Sequence, residues 1–155
     1  MFVIGIVGHG KNKFTSKSED TAKRLIKKIL TDGLVTHGNI TLCSGHSPVG
    51  GIDIWAEEIA IEMEIPIDIK SPKTFTWNGN YGYKERNIDI ANTSDEVHCI
   101  LVSTYPPGYK GMKFKSCYHC DKHQEKIPTH VKSGGCWTTW RSKNPIFHVI
   151  KNNRS

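Results

Sequence analysis

The stretch that most constrains the fold is Thr41 to Ala60, TLCSGHSPVGGIDIWAEEIA. Thr41, Leu42 and Cys43 read as a strand end. A turn carrying Gly45, Pro48, Gly50 and Gly51 follows, and Ile52, Trp55, Ile59 and Met63 then recur at helical spacing on one face. A strand that turns through glycines into a helix aims backbone N–H groups, and the positive end of the helix dipole, at one spot. Bare glycines let an anion approach that backbone, so the junction suits a phosphate. A glycine turn that merely lets a helix pack on a sheet has the same pattern.

Two other junctions share this character. Phe2 to Val7 is a continuous apolar run of the kind a buried parallel strand needs, and it runs into Gly8-His9-Gly10. Ser133-Gly134-Gly135-Cys136-Trp137-Thr138-Thr139 reads as a third glycine turn, bearing hydroxyls. In an open parallel sheet such junctions gather at the carboxyl ends of the strands, where ligands bind. The three are therefore expected to share one crevice.

The rest of the chain alternates strand and helix. Ser18 is the expected N-cap of a helix through about Leu30, closed by Asp32-Gly33. Helices are also expected over about 52–63 and 84–93, and strands over about 40–43, 66–69, 96–102 and 145–150. This rhythm predicts an α/β fold, a Rossmann-like three-layer sandwich with a mostly parallel sheet and helices on both faces. At 155 residues the chain is expected to be a single domain, 1–155, with an insertion at about 103–133 that is too long for an ordinary connection.

That insertion is rich in Cys and His. Cys117 and Cys120 form a C-x₂-C knuckle, and His123, His130, Cys136 or His119 could complete a tetrahedral zinc site. A segment with so few apolar residues would gain its order from the metal. A free-thiol loop and a redox C-x₂-C are the alternatives. Cys136 lies within the third glycine junction, so a metal there would tie the insertion to the crevice. Cys43 and Cys99 fall in expected strands and read as buried thiols. His98 and His148 read as partnered strand residues.

Charge is unevenly spread. Residues 1–107 carry 11 Lys+Arg against 13 Asp+Glu, whereas residues 108–155 carry 10 against 2. A basic C-terminal third can attract a polyanion such as nucleic acid, or simply solvate a lysine-rich loop. No apolar run approaches the roughly 20 residues of a membrane span, and Met1 to Val7 lead into a strand without a basic leader. Five cysteines, an odd number, favour reduced thiols or metal ligation over disulfides, so a cytoplasmic setting is expected. Homo-oligomerisation is left open.

Three segments carry a family resemblance. SGHSPVGGIDIWAEEIA resembles the SGGARGID-type glycine motif of the DprA branch of the SMF/DprA–LOG (SLOG) superfamily. Tyr83 to Asp95, YKERNIDIANTSD, resembles its RN-x₂-IA-x₂-SD segment. Gly134-Gly135-Cys136-Trp137-Thr138, followed by Asn144-Pro145-Ile146, resembles its GG-x-x-T loop and next strand. The three fall in the family's order and cover most of the chain except about 103–132.

The resemblance implies a Rossmann-like domain that binds a nucleotide, a nucleotide-derived signal or single-stranded DNA. It would make Ser44, Gly45, Gly50 and Gly51 the main phosphate cradle, and Gly134, Gly135 and Thr138 a second donor set. Arg86 would offer a planar fork to a phosphate or carboxylate, or else pair with Glu85 or Asp89. Asp53 would cap backbone donors or meet a ribose hydroxyl. Asn87 and Asp95 read as helix-polar and turn-capping residues. Gly8, His9 and His46 are loop candidates for ligand contact, and Trp77, Tyr81 and Tyr83 for stacking on a base. The LOG branch hydrolyses a nucleotide's base–ribose bond with a PGG-x-GT-x₂-E motif. Here Ser133, Trp137 and Arg141 stand where its proline, glycine and glutamate belong, which disfavours that chemistry. A different carboxylate, Asp53 or Glu85, is left as the enzymatic alternative.

Overall fold

The computed structural model describes residues 1–72, 82–120, 127 and 129–152. Five strands, β1 (Phe2–Gly8), β2 (Ile40–Ser44), β3 (Ile67–Ile69), β4 (Glu96–Val102) and β5 (Pro145–Ile150), form one sheet in the order β3-β2-β1-β4-β5. Every pairing is parallel. The helices are α1 (Ser16–His37), α2 (Ile52–Glu62), α3 (Tyr83–Thr93) and α4 (Gly134–Trp140). The architecture is thus the expected Rossmann-like sandwich, with an entirely parallel sheet.

The two-residue period of β1 sorts its side chains onto two faces. Ile4 and Ile6, with Ile40 and Leu42 of β2, meet Ala22, Ile26 and Leu30 of α1 and Ile52, Ala56 and Ala60 of α2. Val7, Cys43, Val97, Cys99 and Leu101 face the other way, against Ile90 of α3 and Cys136 of α4. Chain order reverses at β1, which has β2 on one side and β4 on the other. The diverging connections open a crevice beyond the carboxyl ends of these strands.

Two local expectations are corrected. The first helix does not stop at Asp32-Gly33 but runs to His37. Gly33 stays helical because it is packed on the sheet: a Cβ there would lie 2.6 Å from the Ile4 Cδ1. The stop comes at Gly38, at φ 78°, whose N–H closes on the Leu34 carbonyl. At the start of α1 the N-cap is Thr15, and Ser18 is its reciprocal partner in a capping box. Second, the Ser133–Thr139 turn is a helix, α4. The Ser133 hydroxyl caps it by accepting the Gly135 N–H at 3.0 Å.

The segment between β4 and α4 holds no α-helix or strand among the described residues. Its two ends are pinned. Asn152 donates to the Lys13 and Thr104 carbonyls at 2.8 and 3.0 Å, and accepts from the Ser18 hydroxyl at 2.7 Å. At the far end, the Val131 N–H donates to the Val102 carbonyl. Among the described residues no helix is long and apolar enough to cross a membrane.

Candidate ligand crevice and metal centre

A cavity of about 260 Å³ lies at the carboxyl end of β1. Its walls come from all the expected junctions: Gly8 at the end of β1, Ser47 and Asp53 around the start of α2, and Gly134, Gly135 and Thr138 of α4. Helix α3 closes the remaining side with Tyr83, Arg86 and Asn87. Six of the expected crevice residues therefore meet: Gly8, Asp53, Arg86, Gly134, Gly135 and Thr138.

Arg86 is fixed by two hydrogen bonds, Nε to the Asn87 Oδ1 and Nη1 to the Gly45 carbonyl, both at 2.7 Å. These use two of its five N–H donors. Its guanidinium also lies 5.2 Å from the Tyr83 ring centroid. The ion pairs with Glu85 or Asp89 that the sequence allowed are not formed among the described residues; the opposing carboxylate is Asp53. Burial lowers the Arg86 pKa, and Asp53 partly offsets this. Asp53 accepts the Ser47 N–H at 3.1 Å, and burial pushes its carboxyl up to about 6 even with Arg86 nearby. Of the two carboxylates considered for catalysis, Asp53 lines the cavity and Glu85 does not.

The other expected cradle residues serve the scaffold instead. Ser44 is fully buried and donates to Glu57 Oε2 at 2.9 Å. Glu57 also holds His46, whose Nδ1 lies 2.7 Å from Oε1. Gly45 leaves space for Arg86: a side chain there would collide with the guanidinium. Gly50 and Gly51 sit at φ 78° and 85°, and a Cβ on Gly51 would come within 2.5 Å of the His9 carbonyl and the Lys11 nitrogen. Here the β1 and β2 loops touch, and the Ile52 N–H donates to the His9 carbonyl at 3.2 Å. None of these five residues lines the cavity.

His9 corrects the expectation of ligand contact. It is buried, and both ring nitrogens are engaged. Nδ1 accepts the Val102 N–H at 3.1 Å, so Nε2 carries the proton and donates toward the Val131 and Lys132 carbonyls at 3.2 and 3.1 Å. Burial pulls its pKa down to about 4, which keeps the ring neutral. His9 is a clasp between the β1 loop and the end of the insertion. Sequence reasoning also missed Glu57, which lies one helical turn after Asp53 on α2; that i, i+4 spacing was the available signal.

The second cluster is Cys117, Cys120, His130 and Cys136, all buried, with ligand atoms within 4.8 Å of one another. Cys120 Sγ lies 3.8 Å from Cys136 Sγ and 3.6 Å from His130 Nε2, and His130 Nε2 lies 3.2 Å from Cys136 Sγ. The knuckle is a tight turn, closed by the Cys120 N–H on the Cys117 carbonyl. The Ser133 N–H points at Cys117 Sγ at 3.5 Å, as a donor to a thiolate would. Contact with the Cys117 sulfur, then with Cys99, then burial, push the Cys136 thiol up. Such a Cys₃His set could hold a metal ion, whose charge would relieve the crowding of three sulfurs. Among the described residues the histidine is His130; His123, Trp77 and Tyr81 lie outside them.

The remaining expectations fall into place. Cys43 and Cys99 are buried free thiols. His98 bridges Glu96 and His148 at 3.0 and 2.9 Å, and Asp95 accepts the Val3 N–H at 2.7 Å. Arg141 lies 4.0 Å over the Trp137 ring rather than at the cavity. No protein-family model, curated protein or solved structure matches this chain.

Proposed function

We propose that the cavity binds the phosphate-bearing end of a nucleotide or nucleotide-derived ligand, as a sensing or binding domain of SLOG type. The observation that carries this reading is Arg86. A guanidinium anchored by Asn87 and Gly45 is pre-positioned, with donors remaining, at the point where the β1 and β2 connections, α3 and α4 meet. The first turn of α2 at Asp53 adds the positive end of its dipole. Ligand clefts commonly measure roughly 300–1,000 Å³, so this smaller cavity suits a phosphoribosyl group with the base outside. Asp53 suits a ribose hydroxyl, and Tyr83 at the rim suits the base.

We further read the Cys₃His cluster as a structural zinc site. Zinc–sulfur bonds of about 2.3 Å and zinc–nitrogen bonds of about 2.0–2.1 Å give tetrahedral edges of about 3.8 Å between sulfurs and about 3.5 Å between sulfur and nitrogen. The Cys120–Cys136 and Cys120–His130 separations of 3.8 and 3.6 Å are close to these edges, and the His130–Cys136 separation of 3.2 Å is shorter. Zinc held there would brace the cavity wall, because Cys136 directly follows Gly135 on α4.

Calorimetric titration of zinc-loaded protein with nucleoside 5′-monophosphates tests the crevice reading. Binding should weaken about 30-fold or more in Arg86→Ala, the loss expected for a hydrogen bond to a charged group. Equal binding by wild type and Arg86→Ala would place the ligand elsewhere. An enzymatic reading rests on Asp53, a buried carboxyl with a raised pKa beside an arginine. Steady release of free base from a monophosphate, abolished in Asp53→Asn, would establish catalysis over binding alone.

A further inference from the structure

A second cavity, of about 490 Å³, lies against α1 toward the amino end of β4 and shares no residue with the crevice. Leu25 and Ile29 of α1 give it an apolar wall, and His98 of β4 and His148 of β5 line it from the sheet. The register brings these two rings together. His98 stands two residues before Ile100, whose parallel partner is His148, so both project from the face of the sheet that packs on α1.

Histidines on that face need partners, and here they form a chain. His98 Nε2 lies 3.0 Å from Glu96 Oε1, and His98 Nδ1 lies 2.9 Å from His148 Nε2. The ring planes differ by 8° and the centroids are 5.2 Å apart, which is the nitrogen–nitrogen distance plus the two ring radii. The rings therefore meet end to end, as a pair sharing one proton does. A metal ion between the nitrogens would need a gap of about 4 Å.

Glu96 dictates where the hydrogens sit. A carboxylate only accepts, so His98 carries its hydrogen on Nε2, its Nδ1 accepts from His148 Nε2–H, and His148 Nδ1 ends the chain as a lone pair. One added proton reverses that end. It enters at His148 Nδ1, while His148 passes its Nε2 proton along the hydrogen bond to His98. The His98 cation then donates to Glu96 and His148, and both hydrogen bonds survive. A second proton would set two cations side by side; burial, then His98, already holds the His148 pKa below its ordinary value. The other titratable groups lining the cavity are on α1: Lys28 and Asp32, which pair at 2.7 Å, and His37, whose ring stacks on Phe2 at 3.6 Å.

We propose that this cavity binds a small organic cation, a primary ammonium on an apolar body, which donates to His148 Nδ1 and is displaced by a proton. Without the added proton the chain offers a lone pair with the Glu96 charge behind it, which attracts a cation and repels an anion. A neutral alcohol gains the hydrogen bond alone. The site is independent of the crevice and of the reading given to it.

Benzylamine, benzyl alcohol and benzoate share one apolar body and differ in charge. Their titration into zinc-loaded protein, followed by the proton–nitrogen correlations of the imidazoles, provides the test. At pH 7.5 His98 should be protonated at Nε2 alone, and benzylamine should bind at least about tenfold tighter than either analogue. Its affinity should fall toward pH 5 with a limiting slope of about tenfold per pH unit, the mark of competition with one proton. Glu96→Gln and His148→Phe should each weaken benzylamine binding about tenfold. Both residues are part-exposed, and an amide spectrum unchanged away from the cavity would certify the fold. Absence of any benzylamine shift at millimolar concentration and pH 7.5 would overturn the proposal. So would benzoate or the alcohol bound as tightly, an affinity independent of pH, a His98 hydrogen on Nδ1 at pH 7.5, or binding indifferent to both variants.

Discussion

The sheet-and-helix body and the insertion are ordered by different forces. In the body, Ile4, Ile6, Ile26, Leu30, Leu42 and Ile100 are fully or almost fully buried in one apolar layer, so burial alone accounts for its order. The described insertion buries mainly groups that can coordinate or hydrogen-bond, Cys117, Cys120, His119, His130 and Ser133, with Pro106 and Val131 as its buried apolar residues. Ties to the body include the Cys136 corner of the cluster, the His9 clasp, the Asn152 knot and the Val131 N–H on the Val102 carbonyl. A core tolerates the loss of one contact. A segment held by the Cys₃His cluster, which could take a metal ion, and by a few buried polar contacts does not, so single changes should separate the two regions.

Metal removal should separate them most. Structural zinc in small peptide sites contributes about 10–16 kcal/mol at neutral pH. Chelation, or Cys120→Ser, should therefore release the insertion and the start of α4 while β1 and β2 keep their protection. Hydrogen exchange should show the Val131 amide losing at least about 100-fold protection and the Leu42 amide losing little. Equal loss at both amides would mean that the regions unfold as one and would break the comparison.

Next comes His9→Ala, which leaves the Val102 N–H and the carbonyls of Val131 and Lys132 without their partner. Urea unfolding at pH 7 should show a loss of about 3 kcal/mol. Because the folded pKa is depressed to about 4, the contribution of a neutral His9 is fully present above about pH 6.5. It declines as pH falls toward 4, so the difference between wild type and variant should shrink over that window. A difference independent of pH would remove His9 as a buried neutral clasp.

The smallest effect has the opposite sign. The Asp53 carboxyl is raised from its ordinary value of 3.8 to about 6, so folding favours its protonated form. That contribution is complete below about pH 4 and is lost as pH rises through 6. At pH 7.5 Asp53→Asn should stabilise the protein by about 1–3 kcal/mol, with the gain gone near pH 4. A destabilised variant at pH 7.5 would show that the body needs this charge. A stabilised one marks a carboxylate held at a cost in stability, as functional sites often are.

The body was legible in the sequence because its forces leave periodic traces. The run Phe2–Val7 and the stripe on α2 name both their elements and their buried faces. Gly33 misled, because a glycine reads as a stop from sequence alone, whereas Ile4 and Ile40 pack where its side chain would stand. At the crevice the sequence located the junctions but not their division of labour. Gly45, Gly50 and Gly51 carry the same glycine signal as Gly134 and Gly135. They are used instead for contacts with Arg86 and the His9 loop, both distant in sequence. His9 lay beyond sequence reasoning for the same reason: its partners are Val102, Val131 and Lys132. In the insertion the C-x₂-C spacing announced the knuckle, but the choice of His130 came from the fold.

Native mass spectrometry of freshly purified protein tests the central claim most directly. The account predicts one zinc ion per chain together with a phosphate-bearing small molecule, with Arg86→Ala retaining the zinc and losing the small molecule. Wild-type protein that carries zinc yet neither retains nor takes up any nucleoside monophosphate at millimolar concentration would contradict it.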